Sequence, residues 1–162
     1  LDILIESLSK VNMNGWECEI IGSGTSEYID QLKKQIKNYK LESKVTIKDA
    51  CYGQSKIRVF QDATAFILPS YSEGFGIAIA EAMRWGLPVI TTTSTPWKII
   101  ESKKLGWYVK PNVNEISQAI NELFNTKTED LRSMGQRCRE YILRRNDWND
   151  IAEQMKKELE SL

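Results

Sequence analysis

The stretch Thr64–Thr92, "TAFILPSYSEGFGIAIAEAMRWGLPVITT", decides the fold. It opens on a short apolar run ended by Pro-Ser, passes through a Gly-Phe-Gly turn, continues with apolar residues at helical spacing, and closes on a second apolar run, "LPVITT". Strand, turn, helix, strand is the reading, with both strands nearly continuous in apolar residues, as strands buried on both faces are. Ser70 to Glu73 then sit at the carboxyl end of the first strand, Gly74, Phe75 and Gly76 make the turn, and the helix runs from about Ile77 to Arg84.

The same alternation extends in both directions. Leu1, Leu4, Ile5, Leu8 and Val11 mark one helix face, "ECEII" a strand, Tyr28, Leu32, Ile36 and Tyr39 a second helix face, and "KVTIK" a strand. A short helix around Ile57 and Phe60 leads into the opening stretch. A brief helical piece from Trp97 to Ser102 and the strand "GWYVKP" follow it. Repeated strand and helix units of this kind predict an α/β fold, a Rossmann-like doubly wound parallel sheet covered by helices on both faces. The last third is helical. "NVNEISQAINELF" starts with the Asn-x-x-Glu pattern of a capping box, Leu131, Met134, Cys138 and Tyr141 line the next helix, and Trp148, Ile151, Met155 and Leu159 line a final one.

Composition limits the function classes. The 162 residues are 41% hydrophobic and 27% charged, as in one soluble globular domain, and 22 Lys plus Arg against 22 Asp plus Glu give no basic surplus for nucleic acid. The apolar runs fall far short of the roughly 20 residues of a membrane helix, and the start shows no signal-peptide pattern, so the cytoplasm is the expected compartment. Cys18, Cys51 and Cys138 lack any paired spacing and histidine is absent. These features predict reduced, mostly buried thiols, with no disulfide framework, zinc site or Ser/His/Asp triad. No Asp-x-Asp occurs, so no metal is expected.

In an open parallel sheet, ligands bind outside the carboxyl ends of the strands. Free N–H groups and the dipole at the start of the helix suit a phosphate, and Gly74 and Gly76 let it approach the backbone. Two carboxylates then pose a problem. Glu73 precedes the turn and Glu81 lies roughly 7 Å up the helix at 1.5 Å per residue, and both would repel a diphosphate. They make sense as acceptors for hydroxyls on either side of it, and hydroxyls flanking a diphosphate describe a nucleotide sugar. On spacing alone, a plain helix start with one solvated glutamate fits equally well.

"LPSYSEGFGIAIAEAMRWGLPVIT" also closely resembles the donor-site motif of the retaining glycosyltransferases with the GT-B fold, in which two Rossmann-like domains face each other across a cleft. The likeness rests on the Pro-Ser strand end, Glu plus seven residues plus Glu, the "EAM" helix and "GLPVI". Looser agreement extends from "EIIGSG" through "KVTIKDA" and "TPWKIIESKKLGWYV" to the "WNDIAEQM" helix.

The resemblance implies that residues 1–162 are the nucleotide-sugar-binding half of such an enzyme, metal-independent, with a glycan or lipid-linked acceptor held by an amino-terminal domain. It implies polysaccharide biosynthesis, with peripheral membrane association of the full-length protein at the inner face. Glu73 would contact the transferred sugar near the reacting carbon, Gly74, Phe75 and Gly76 would shape the turn, amides of Ile77 and Ala78 would meet the diphosphate, and Glu81 would hold the ribose. Cys51 and Lys56, in "KDACYGQSK", would lie near the base, although Asp49 stands where the family usually has glycine. The chain opens on a helix where the fold expects a strand, and the family's phosphate-neutralising Arg and Lys would precede Leu1. It therefore reads as a piece of a longer chain, inactive in transfer by itself. A nucleotide-sugar epimerase and a non-catalytic nucleotide-binding domain are the alternative readings.

Overall fold

The computed structural model describes residues 1–145. The final helix expected around Trp148 to Leu159 lies outside them. Twelve elements follow in chain order: α1 (Asp2–Leu8), β1 (Cys18–Ile21), α2 (Ser26–Asn38), β2 (Val45–Lys48), α3 (Gly53–Asp62), β3 (Phe66–Leu68), α4 (Ile77–Arg84), β4 (Val89–Thr92), α5 (Ile99–Ser102), β5 (Gly106–Val109), α6 (Val113–Asn125) and α7 (Thr128–Arg145).

All strand pairing among these residues is parallel. β1 pairs with β2, Cys18 opposite Val45, and β4 lies between β3 and β5, Phe66 opposite Val89 and Val89 opposite Gly106. The expected single sheet is present as two sheets, β1-β2 and β3-β4-β5. Among the described residues β1, β2, β3 and β5 thus each have one edge without a strand partner.

Alternation along β4 explains why both faces are covered. Ile90 packs into a cluster with Ile3, Leu4, Ile5 and Leu8 of α1 and Ile116 and Ile120 of α6. Its neighbour Val89 points the other way, into a cluster with Ile79 and Met83 of α4, Ile100 of α5 and Cys138 and Ile142 of α7. All four residues of β4 are buried, so apolar side chains are needed on both of its faces. Ile20 of β1 and Val45 of β2 join the first cluster, so one core spans the two sheets on that face.

Local chemistry sets the helix boundaries. Thr25 caps α2 by accepting from the Tyr28 amide at 3.3 Å, and Asn112 caps α6 by accepting from Glu115 N at 2.9 Å. The capping box on α6 is half formed, because the Asn112 amide donates to Lys110 O at 2.8 Å rather than to Glu115. On α2, Leu32 and Ile36 are buried, whereas Tyr28 and Tyr39 are exposed and only flank the buried stripe. The Tyr28 hydroxyl accepts from the Leu1 amino group at 3.0 Å. α7 crosses α4 closely enough that a Cβ on Gly135 would lie 1.9 Å from Gly86 O. It is further tied down by the Arg137 guanidinium, which donates to Lys104 O at 3.0 and 3.2 Å, and by the Cys138 thiol, which donates to Leu105 O at 3.1 Å.

Candidate functional site

The parallel register places the ends of β3, β4 and β5 at one edge, and the turn after β3 is built there. Two buried threonines of β4 hold it in place. Thr91 Oγ1 donates to Leu68 O at 2.9 Å and Thr92 Oγ1 donates to Ser70 O, so the carbonyls at the end of β3 are fixed by hydroxyls from the neighbouring strand. Thr95 Oγ1 donates to Thr92 O at 3.0 Å and Tyr108 OH to Thr95 O at 2.9 Å, extending the network into the loop beyond β4. Ser70 Oγ lies 3.0 Å from Ser72 O and 3.3 Å from Glu73 Oε2, one proton serving two acceptors.

Gly76 is the N-cap of α4 in the left-handed region, φ 72° and ψ 55°, which turns the chain sharply enough to start the helix directly after the strand end. Gly74 has no positive φ, and a Cβ there would meet nothing within 4 Å. Of the two glycines, only Gly76 is required by the turn's own sterics. Trp97 braces the turn from below: 2% exposed, it donates Nε1–H to Phe75 O at 2.6 Å, and its ring meets that of Phe75 edge-on with centroids 5.5 Å apart. Phe75 and Ile77 are themselves exposed. The first amide of α4 to find a backbone acceptor is Ile79 N, bonded to Gly76 O at 2.8 Å. The N–H groups of Ile77 and Ala78 before it have no protein acceptor among the described residues, leaving two aligned donors at the positive end of the helix.

Glu81 is two residues beyond Ile79 on α4, and its carboxylate is not solvated alone. Lys56 Nζ of α3 lies 2.7 Å from Glu81 Oε1 and 2.6 Å from Oε2. This pair forms part of the wall of a groove of about 510 Å³ between the two helices. On the α3 side the groove is lined by the N-cap Tyr52 and by Gly53, Lys56, Ile57 and Phe60, and on the α4 side by Glu81, Arg84 and the C-cap Trp85. Lys56 and Arg84 against Glu81 leave it with one positive charge in excess.

The structure therefore brings Glu73, Gly74, Phe75, Gly76, Ile77 and Ala78 together at one turn, and places Lys56 on Glu81 at the mouth of a groove one helical turn away. Cys51 is half-buried in the loop before α3 and is not among the residues lining the groove; Tyr52 and Gly53 line it from that segment. Sequence reasoning passed over Tyr52, Arg84 and Trp85 as site residues, and read Ile57 and Phe60 only as the apolar side of a short helix. It also passed over Thr91 and Thr92, whose burial in an otherwise apolar strand was the available signal. Trp97 is core, as aromatics beside strands usually are, yet its indole N–H acts on the turn.

Burial, aided at Cys18 by the Glu19 carboxylate, pushes the thiol of Cys18 up to about 11, and burial pushes that of Cys138 up to about 12. Neither is suited to nucleophilic chemistry near neutrality. No group of three His, Cys, Asp or Glu side chains able to hold a metal occurs among the described residues. No helix among them is long and apolar enough to cross a membrane.

Comparison with known proteins agrees with this geometry. The chain is 28% identical over 173 residues to the putative colanic acid biosynthesis glycosyltransferase WcaL of Escherichia coli K12, covering all of this chain and 41% of that protein. It thus spans about two fifths of the length of that relative. Its fold superposes on sucrose-phosphate synthase from Thermosynechococcus elongatus with a TM-score of 0.83 at 21% identity, over 99% of this chain and 41% of that one. Anabaena HepE, solved in complex with UDP and glucose, gives 0.78 at 22% identity, over 99% and 44%. The family model for glycosyl transferases group 1 matches residues 1–142. A Rossmann-like parallel α/β chain with this turn at its sheet edge, the protein belongs to the group 1 glycosyltransferases of the GT-B fold.

Proposed function

We propose that this chain is the donor-binding part of a retaining, metal-independent glycosyltransferase, binding a nucleoside-diphosphate sugar for transfer to a glycan or lipid-linked acceptor. The observation that carries the reading is the order of groups along the edge: Glu73, then the unpaired amides of Ile77 and Ala78, then Glu81 opening onto a groove with a net positive charge. That order matches sugar, diphosphate and nucleoside. The amides and the helix dipole take the diphosphate, stabilising the negative charge that grows on it as the sugar departs. Glu81 accepts from ribose hydroxyls, and the groove takes the rest of the nucleoside. Glu73 accepts from sugar hydroxyls near the reacting carbon. The UDP and glucose in the Anabaena HepE complex support a ligand of this class, and the colanic acid biosynthesis in the name of WcaL supports a glycan product.

The reading extends to the rest of the protein. The unpartnered edges of β1 and β3 support one further parallel strand between them, contributed by a longer chain that also supplies the upstream cations and an acceptor domain. Orientation of donor and acceptor across a closed cleft is worth as much as roughly 7–11 kcal/mol of barrier. Residues 1–162 alone are therefore expected to bind donor without glycosylating an acceptor.

The test is a comparison of two variants on two ligands. Glu81→Ala is expected to weaken UDP and UDP-sugar alike by about ten- to a hundredfold, the loss of about 1.5–3 kcal/mol of hydrogen bonding to a charged group. Glu73→Ala is expected to weaken only the sugar-bearing ligand. Equal losses on both ligands in both variants would contradict the assigned order.

A further inference from the structure

Two acids beside a diphosphate remain an electrostatic problem unless something offsets them, and the structure shows what does so at Glu81. We infer that Lys56 is a positioning residue and a determinant of ribose specificity: its ammonium fixes the plane and offsets the charge of the Glu81 carboxylate so that this carboxylate can receive the cis-diol of a ribonucleotide. The inference rests on the nucleotide-sugar reading above.

The geometry is particular. Nζ is nearly equidistant from the two carboxylate oxygens, 2.7 Å and 2.6 Å. One ammonium so placed removes the freedom of the carboxylate to rotate and uses one acceptor site on each oxygen. A carboxylate has about four such sites, so each oxygen keeps one, and the two that remain are held in a fixed relation. Two hydroxyls on adjacent carbons of a five-membered ring need two acceptors in such a relation. A carboxylate free to turn would have to be immobilised at the moment of binding, which costs affinity.

Charge points the same way. With Lys56 in place, Glu81 brings no uncompensated negative charge to the phosphates held at Ile77 and Ala78. The pair is not needed to hold the fold: the two side chains are 37% and 36% exposed, and pairs of that exposure contribute little to stability. Lys56 also lines the groove with Tyr52 and Trp85, so it acts at the surface the nucleoside would meet. The two partners are separated by 25 residues and meet at the groove between α3 and α4.

The experiment measures affinity of residues 1–162 for UDP, 2′-deoxy-UDP and UMP, with GDP and ADP and their deoxy forms run alongside and the tightest base used. Wild type is expected to prefer the ribonucleotide by about tenfold, the loss of a hydrogen bond to a charged group. Lys56→Met is expected to shrink that preference to within about threefold, to lower the affinity for the diphosphate more than that for the monophosphate because Glu81 is then uncompensated, and to melt near the wild-type temperature. Lys56→Arg is expected to restore most of the preference. A Lys56→Met variant that keeps the full ribose preference overturns the inference. So does a Lys56→Met loss that still grows with phosphate count on a Glu81→Gln background, since Lys56 would then be a phosphate cation rather than the partner of Glu81. If wild type binds no ribonucleotide, or binds ribo and deoxy forms equally, the assignment of Glu81 to ribose fails and the inference falls with it. That failure appears in wild type, whereas failure of the inference alone appears only in the variant.

Discussion

Gly76→Ala is the substitution whose cost the structure fixes most closely. At φ 72° an L-residue occupies the left-handed region, which costs about 1–2 kcal/mol. Alanine recovers about 0.4–1 kcal/mol by stiffening the unfolded chain. The added Cβ would then stand 3.2 Å from each of three atoms: Glu73 Cγ, Ile79 Cδ1 and Trp97 Nε1. Glu73 is flexible and can yield. Ile79 is fully buried, and Trp97 is buried and bonded to Phe75 O, so these two resist, and overpacking of this kind costs about 1–3 kcal/mol. The sum is about 1–5 kcal/mol, centred near 3, which for a domain of this size lowers the melting temperature by about 2–20 °C. Because the shift falls on the turn that presents the amides of Ile77 and Ala78, UDP affinity should drop as well.

Gly74→Ala is the matched control. Its Cβ meets nothing within 4 Å and no unusual φ is required, so its melting temperature should stay within about 2 °C of wild type. With the diphosphate over this turn, that variant should lose affinity without losing stability. Thermal melts and calorimetry on both proteins decide the matter. Equal stability of the two variants would refute the claim that Gly76 alone is demanded by the fold.

Two other perturbations follow from the packing. Gly135→Ala should cost more than about 3 kcal/mol in urea unfolding or prevent folding, because a Cβ 1.9 Å from Gly86 O forces α7 off α4; an unchanged midpoint would mean that the two helices do not cross there. Stability should also fall at high pH: Cys18 and Cys138 hold their protons to about 11 and 12 when folded but only to about 8.5 when unfolded, so their contribution is intact below about 8.5 and is lost as pH rises through the folded values. Urea midpoints from pH 7.5 to 10.5 should show this decline, shallower in a Cys18→Ala/Cys138→Ala variant, and identical slopes would refute it.

What was legible in the sequence was whatever a single element carries within itself. The helix from Ile77 to Arg84 was readable to its ends, because the glycine turn before it and its apolar spacing are local signals, and the Asn112 cap was readable for the same reason. Val89 and Ile90, adjacent and both apolar, announced the burial of β4 on both faces, whereas β3 and β5 are equally continuous in apolar residues and are only half-buried. Contacts between elements were not legible. Nothing in "KDACYGQSK" says that Lys56 ends on Glu81, because that depends on how the fold places α3 against α4, 25 residues further on. The indole of Trp97 reaches Phe75 O across 22 residues, and the hydroxyls of Thr91 and Thr92 reach the end of β3 only through sheet register. Tyr28 and Tyr39 fell on the apolar stripe of α2 by spacing, yet amphipathic side chains can flank a core rather than fill it.

The most direct test of the central claim is isothermal titration of residues 1–162 with UDP-glucose and a panel of other nucleoside-diphosphate sugars in the presence of a chelator. The account predicts saturable one-to-one binding of at least one of them, unchanged on adding magnesium or manganese and reduced about ten- to a hundredfold in Glu81→Ala. Absence of binding across the panel, or binding that strictly requires a divalent ion, would contradict it.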